Sequence, residues 1–467
     1  METYGGGIPT TTELIDTLVR TLTSGWGIVA VLGFLLLMIA AAASKRARWV
    51  AFAGVVYMGT FGFSWTPWFH HVLVQPLEIL KLQSRNLSVV LLFVVCFGAC
   101  FSARGTRQKL LIGATTAVFV FQLVYCSRLM FGGWFMKGAF GAILYFMIFV
   151  AFAIGLSLML QDLKDVHSAI RCVAIAALLF CLGTAAQLVI DRGSILAGGR
   201  LASTPGTATH TAECIAVMLP AIVFLIFSKS EPRVLRALWL ATAGALVIFL
   251  ALTGTRNGVV MAFFAMVLLF RGRLGKMVIA CILVGIAATV VWQFFGGTEA
   301  SETASRLVSF SDTRSAAWRV SLAGFLANPA FGSLSSHQLI VENSYLTVAS
   351  DMGFYGLIPL GIAMGLVCWA LIKLNRVRPL LGEDTMLADF VTAGFVSLAI
   401  GAIFEGYLVG MLHIEVYATY IYLAILGFIL DRMRQVMQGA ATGEAYDQTY
   451  QAAEPEPAYD MAGAGYN

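Results

Sequence analysis

The stretch SHQLIVENSYLT, residues 336–347, holds two side chains able to take a proton from a hydroxyl, His337 and Glu342, next to the hydrogen-bonding Asn343 and Tyr345. Just upstream, SFSDTRSAAWRVSLAGFLANPAFG (309–332) carries Arg314 and Arg319 five residues apart, with Trp318 between them. ALTGTRNGVVMAF (251–263) puts Arg256 in a turn, and GGRLASTPGTATHTAECIAVMLP (198–220) sets Arg200 and His210 around a Ser/Thr/Gly/Pro-rich bend. Guanidinium groups are forked and always charged, so several of them without a matching run of acids suit an anionic ligand such as phosphate. A carboxylate or imidazole nearby could serve as base. Each residue also has a plainer reading. Arg256 can snorkel to headgroups, Glu342 can pair with an arginine, and the bend before His210 can be an ordinary loop with a helix N-cap at Thr209 or Thr211. Gly254 and Gly258 are expected to leave room for a ligand beside Arg256.

The elements that must position these residues are membrane helices. Of 467 residues, 59% are hydrophobic and 12% charged, and the mean hydropathy is +0.84, which excludes a soluble globular chain. At about 20 apolar residues per crossing the chain has room for about a dozen spans. Apolar runs predict them at 25–43, 49–65, 88–103, 110–127, 139–160, 169–189, 212–228, 235–253, 258–270, 277–296, 353–372, 387–408 and 412–430. The run 258–270 is short for a crossing. The stretch 66–84, with Pro67 and Pro76, is a candidate to dip into the membrane. The expected fold is therefore all-α and polytopic with 12–13 transmembrane helices: an N-terminal segment 1–24, a bundle 25–430, and a tail 431–467.

Lys and Arg crowd into alternate loops. These hold Lys45, Arg46 and Arg48; Arg104, Arg107 and Lys109; Lys164 and Arg171; Lys229, Arg233 and Arg236; Arg271, Arg273 and Lys276; Lys373, Arg376 and Arg378; and Arg432 and Arg434. Cytoplasmic loops carry this excess, so they and the C-terminus are expected inside. The other face then holds 190–211, the turn 253–258 and one large loop, 297–350, in which SAAWRVSLAGFLA has the spacing of a short surface helix ended by Asn328 and Pro329. The tail has no Lys or Arg after Arg434 and is expected to be disordered. The N-terminus lacks a basic region leading into a short apolar core, so the first span is expected to stay in place. The eight cysteines fall mostly in apolar runs without metal-ligand spacing and are read as small core residues. No nucleic-acid partner is expected.

Four blocks in order resemble the O-antigen ligase and polymerase superfamily of bacterial envelope polysaccharide proteins: R-x(n)-TPGT-x-TH before a span containing MLPA, the LTGTR turn, W-R-x(n)-NP-x-x-G, and ENSYL-x(n)-D-M-G-F-Y-G. The resemblance covers roughly residues 195–410. It implies a bundle of the integral-membrane (GT-C-like) glycosyltransferase kind with a large periplasmic loop. It also implies glycosyl transfer without metal or cofactor at the outer face of the bacterial inner membrane, from glycans carried on undecaprenyl diphosphate. By the same resemblance Arg256 and Arg319 would hold the diphosphate, with Arg314 and Arg200 beside them, and His210, Asn343, Tyr345 and Trp318 would meet substrate. A flippase and a chain-length regulator would be the accompanying partners.

Ligase members look like H-N-x-Y-L in the last block, where His is the expected base. Here Glu342 stands at that position, with His337 five residues upstream. The difference favours a polymerase of lipid-linked repeat units over a ligase that moves finished polymer onto lipid A core or another acceptor. A transporter or flippase of lipid-linked sugars is the reading from another class, kept open by Glu405, His413 and Glu415 near the last outer turn.

Overall fold

The structure, a computed structural model, describes residues 25–62, 73–101, 112–196, 199–272, 275, 314–334, 343–410 and 412–442. Its helices are α1 (Gly25–Ala43), α2 (Lys45–Gly59), α3 (Leu77–Cys100), α4 (Ile112–Phe131), α5 (Phe135–Met159), α6 (Leu163–Ile190), α7 (Ala208–Phe227), α8 (Arg233–Thr253), α9 (Arg256–Leu269), α10 (Ser315–Ala327), α11 (Ser344–Val377), α12 (Thr385–Phe404) and α13 (Ile414–Thr442). Among the described residues nine helices are long and apolar enough to cross a membrane, and Leu32–Ala43 and Arg256–Leu269 are shorter apolar helices. Lipid offers backbone groups no partners, so apolar runs of this length close their hydrogen bonds internally as helices.

Several boundaries differ from those predicted. α3 starts at Leu77, behind Pro76, rather than at 88, so the second half of the stretch expected to dip is helical. α13 continues to Thr442, into the segment expected to be a disordered tail, with Met433 still buried. The predicted span 277–296 lies outside the described residues. Four cysteines (Cys126, Cys172, Cys181 and Cys214) are buried as expected, but Cys100 and Cys368 are exposed.

Among these nine helices of the described residues α7 and α13 are the most enclosed, each with 83% of its apolar window buried. Small residues allow the close approaches. A Cβ on Gly258 of α9 would lie 2.5 Å from the Ala212 Cβ of α7, and one on Gly394 of α12 would enter the Tyr422 ring of α13. Gly258 is thus a helix-packing residue, which corrects the expectation that it leaves room for a ligand. Gly254 takes φ 58° and ends α8 in the left-handed conformation, a second use that is not ligand space. Ile358, Ile362, Trp369 and Ile372 of α11 remain exposed, as a lipid-facing side requires.

Ion pairs join loops of the basic set to one another at one end of the bundle. Lys45 is 2.5 Å from Asp165, Arg171 is 2.5 Å from Glu231, and Asp389 on α12 takes Arg271 (2.5 Å) and Arg378 (2.7 and 2.8 Å) together. Asp389 is 4% exposed and ties the ends of α9 and α11 to the start of α12. Asp389→Ala leaves two guanidiniums facing each other and should cost about 2 kcal/mol or more, read as a lower unfolding midpoint in detergent. An unchanged midpoint would show the clasp to be idle.

At the other end, α11 is broken. Gly353 has φ 58° and ψ −148°, outside the helical region, and the freed donors behind it are used: Phe354 N–H donates to the Pro329 carbonyl (2.7 Å) and Tyr355 N–H to the Ala330 carbonyl (3.0 Å). Ser333 N–H donates to the Ser350 carbonyl (2.7 Å), and Arg128 at the end of α4 donates to the carbonyls of Phe331 (2.6 Å) and Gly332 (3.0 Å). The NP-x-x-G and D-M-G-F-Y-G blocks, far apart as motifs, therefore interlock, and the expected helix over 315–327, ended at Asn328, is seated on α11.

Candidate functional site

A buried polar cluster lies where the starts of α7, α9 and α13 meet the end of α12. The α7 start is set by Thr207, whose side chain accepts from His210 N–H (3.2 Å), two residues before the earlier of the two expected caps. One turn in, His210 Nδ1 lies 3.2 Å from Oε2 of Glu213, which has no exposure, and Asn257 Nδ2 of α9 donates to Glu213 Oε1 (2.9 Å). Among the described residues Asn257 Oδ1 has no hydrogen-bond partner. His413, in the turn before α13, places its ring 5.9 Å from that of His210, and Glu415 is buried two residues on. Desolvation among these groups, with the neighbouring His210 adding to it, pushes His413 down to about 3, so it stays neutral near pH 7.

Arg314 at the start of α10 reaches the same place. Its Nη1 donates to the Phe404 carbonyl (2.5 Å), its Nη2 to Glu405 Oε1 (3.2 Å), and the guanidinium stands over the Phe404 ring. Glu213 has Glu415 and Arg314 as its electrostatic neighbours. The chain between α12 and α13 is fastened by Ser344, whose N–H and hydroxyl both donate to the Glu405 carbonyl (3.0 and 2.5 Å), and by Tyr145, whose hydroxyl donates to the Gly410 carbonyl (2.7 Å). Tyr407 is buried there and donates to the Leu398 carbonyl.

Beside this cluster opens an apolar groove of about 170 Å³ between α4, α11, α12 and α13, lined by residues such as Phe121, Leu360, Val367 and Phe395. Its few polar members, Gln122, Tyr345, Tyr407, Glu415 and Thr419, include two that also belong to the cluster. A long apolar chain with a polar head is the shape of ligand such a site accepts.

The expected site residues divide accordingly. His210 and Arg314 are in the cluster. Arg200 is committed to the turn before α9, donating to the Thr253 carbonyl (2.8 Å) and Thr255 Oγ1 (2.7 Å), and Arg256 is exposed on the first turn of α9. Arg319 is exposed and turned about 140° around α10 from Arg314, bonding back to Ser315 of its own helix, with Trp318 half-buried beside it. The Asn343 side chain is the N-cap of α11, accepting from Leu346 N–H (2.9 Å), and the Tyr345 hydroxyl donates to the Ala399 carbonyl (3.0 Å) while its ring lines the groove. Glu342 and His337 lie outside the described residues. Sequence reasoning passed over Glu213 and Asn257. The signal was present: an acid three residues after a histidine inside an apolar span is costly unless used.

Fold and site together define a polytopic, all-helical membrane protein, among the described residues, with a polar cluster at one end of its bundle. No protein-family model matches the chain, and no curated protein matches it in sequence.

Proposed function

We propose that this protein is a glycosyltransferase of the bacterial inner membrane that polymerises repeat units of an exopolysaccharide, capsule or O-antigen from undecaprenyl-diphosphate-linked glycans. The observation that carries the reading is the junction of an arginine- and carboxylate-bearing cluster with an apolar groove of about 170 Å³, a match for an amphiphile with an anionic head. The polyprenyl chain enters from lipid along α11 and α12, the diphosphate faces Arg314 at the periplasmic end, and the exposed Arg256 and Arg319 attract the anionic head from outside the cluster. The acceptor sugar hydroxyl gives up its proton to a base on this face, for which the sequence offers Glu342 and His337. Fixed cations then stabilise the leaving diphosphate in a partly dry site. Membrane lipid surrounds the bundle, a flippase supplies units, a chain-length regulator acts alongside, and the C-terminus is cytoplasmic.

Cells carrying Arg256→Ala or Arg319→Ala should lose about tenfold or more in polymerisation rate through weaker capture of the anionic head, and a null should accumulate single repeat units on undecaprenyl diphosphate. Full-length polymer at normal rate in both variants overturns the mechanism. Long chains left on undecaprenyl diphosphate in the null would instead mean a ligase. A second reading, transport of a lipid-linked sugar, draws on the burial of Glu213 and Glu415 inside the bundle. It requires the null to retain its lipid-linked units on the cytoplasmic side.

A further inference from the structure

We infer that His210, oriented by Glu213 and Asn257, is the base that takes the proton from the acceptor hydroxyl. The inference rests on the glycosyl-transfer reading and gives the base role to His210 in place of Glu342 or His337. An imidazole serves as base when one nitrogen is occupied by a fixed acceptor and the other is left with its lone pair facing the substrate. His210 meets the first condition through Nδ1, 3.2 Å from Glu213 Oε2. The acceptor is fixed in turn, because Asn257 Nδ2 holds the other carboxylate oxygen at 2.9 Å. In the tautomer that donates Nδ1–H to Glu213, Nε2 carries the lone pair and is the atom that accepts.

The second condition is access, and the two side chains differ sharply in it: that of His210 is 32% exposed and that of Glu213 0%. The dyad thus has an open end and a buried end. Its backbone is equally set, since Thr207 caps the helix by accepting from His210 N–H and α9 is pressed against α7 at Gly258, one residue from Asn257. The groups packed around the pair are His413, Glu415 and Arg314.

In the step, the acceptor O–H bond breaks and its proton passes to His210 Nε2. The acceptor oxygen forms a bond to the anomeric carbon as the bond from that carbon to the diphosphate oxygen breaks, and the electron pair leaves with undecaprenyl diphosphate. Attack from the side opposite the leaving group inverts the anomeric centre. The proton on the imidazolium is then lost to water, which restores the base.

The test uses the full chain in lipid nanodiscs with lipid-linked repeat unit extracted from cells lacking the protein, reading product length, kcat and KM. His210→Gln should lower kcat by about 100- to 10,000-fold with KM nearly unchanged. His210→Gly should be equally slow and should regain about tenfold or more on adding free imidazole. Glu213→Gln should lower kcat at constant KM, with Glu213→Asp recovering part of it. Normal kcat in His210→Gln, or a loss confined to KM, overturns the assignment. If glutamine prevents folding, His210→Gly with and without imidazole decides the role within one protein, and a slow variant that imidazole does not restore counts against it. A wild-type protein that extends no chain sinks the glycosyl-transfer reading itself, a different result from an active wild type indifferent to His210.

Discussion

Arg314→Ala is expected to cut polymer synthesis by on the order of 100-fold or more, the largest functional loss among the arginines. Arg314 is the one expected diphosphate ligand that the fold brings into the buried cluster, with its guanidinium on Glu405 and the Phe404 carbonyl and its charge felt by Glu213. Removing it takes away a fixed cation where the proposed reaction develops negative charge. It also leaves Glu405 and the Phe404 carbonyl without the guanidinium that holds them, so protein yield and elution in detergent must be compared alongside rate. Arg314→Lys should keep the charge but lose the forked geometry and recover only part of the activity. A folded Arg314→Ala protein that makes polymer at the normal rate would remove Arg314 from the mechanism.

Gly353→Ala should be strongly destabilising, by about 3 kcal/mol. The backbone there has φ 58° and ψ −148°, a region open essentially to glycine alone. A Cβ would also stand 2.3 Å from the Pro329 carbonyl oxygen and 2.8 Å from Gly332 N, atoms of backbone that cannot swing aside. The substitution therefore pushes the 329–333 loop off α11 and with it α10, which carries Arg314. Gly365→Ala on the same helix has nothing within 4 Å of the added methyl and should be neutral or slightly stabilising. Equal melting of the two variants would show that the break at Gly353 carries no strain and no docking role.

Much of the scaffold was legible because its signal is local. Runs of apolar residues must form helices in lipid whatever their neighbours do, so spans such as 169–189, 212–228 and 235–253 fall on α6, α7 and α8. The helical spacing of SAAWRVSLAGFLA and its stop at Asn328 were equally readable. The errors came where a boundary depends on partners. The N-cap of α7 is Thr207, because that hydroxyl meets the His210 N–H, and α13 outruns the expected span with Met433 still buried against the bundle.

For the site, sequence alone determined the kinds of groups available on one set of loops: arginines, an imidazole at His210, and acids near the last turn. It did not determine which of them meet. Glu213 and Asn257 are 44 residues apart, and the ring of His413 reaches His210 only because α7 and α13 are packed side by side at the centre of the bundle. Arg314 and Arg319 look equivalent along the chain, yet the helix turns one toward Glu405 and the other outward. A helix in lipid is specified by its own residues, whereas a cluster of polar side chains is specified by how helices cross. Those crossings are set by small-residue contacts such as Gly258 on Ala212, which carry no chemistry of their own and give no sign of the site they assemble.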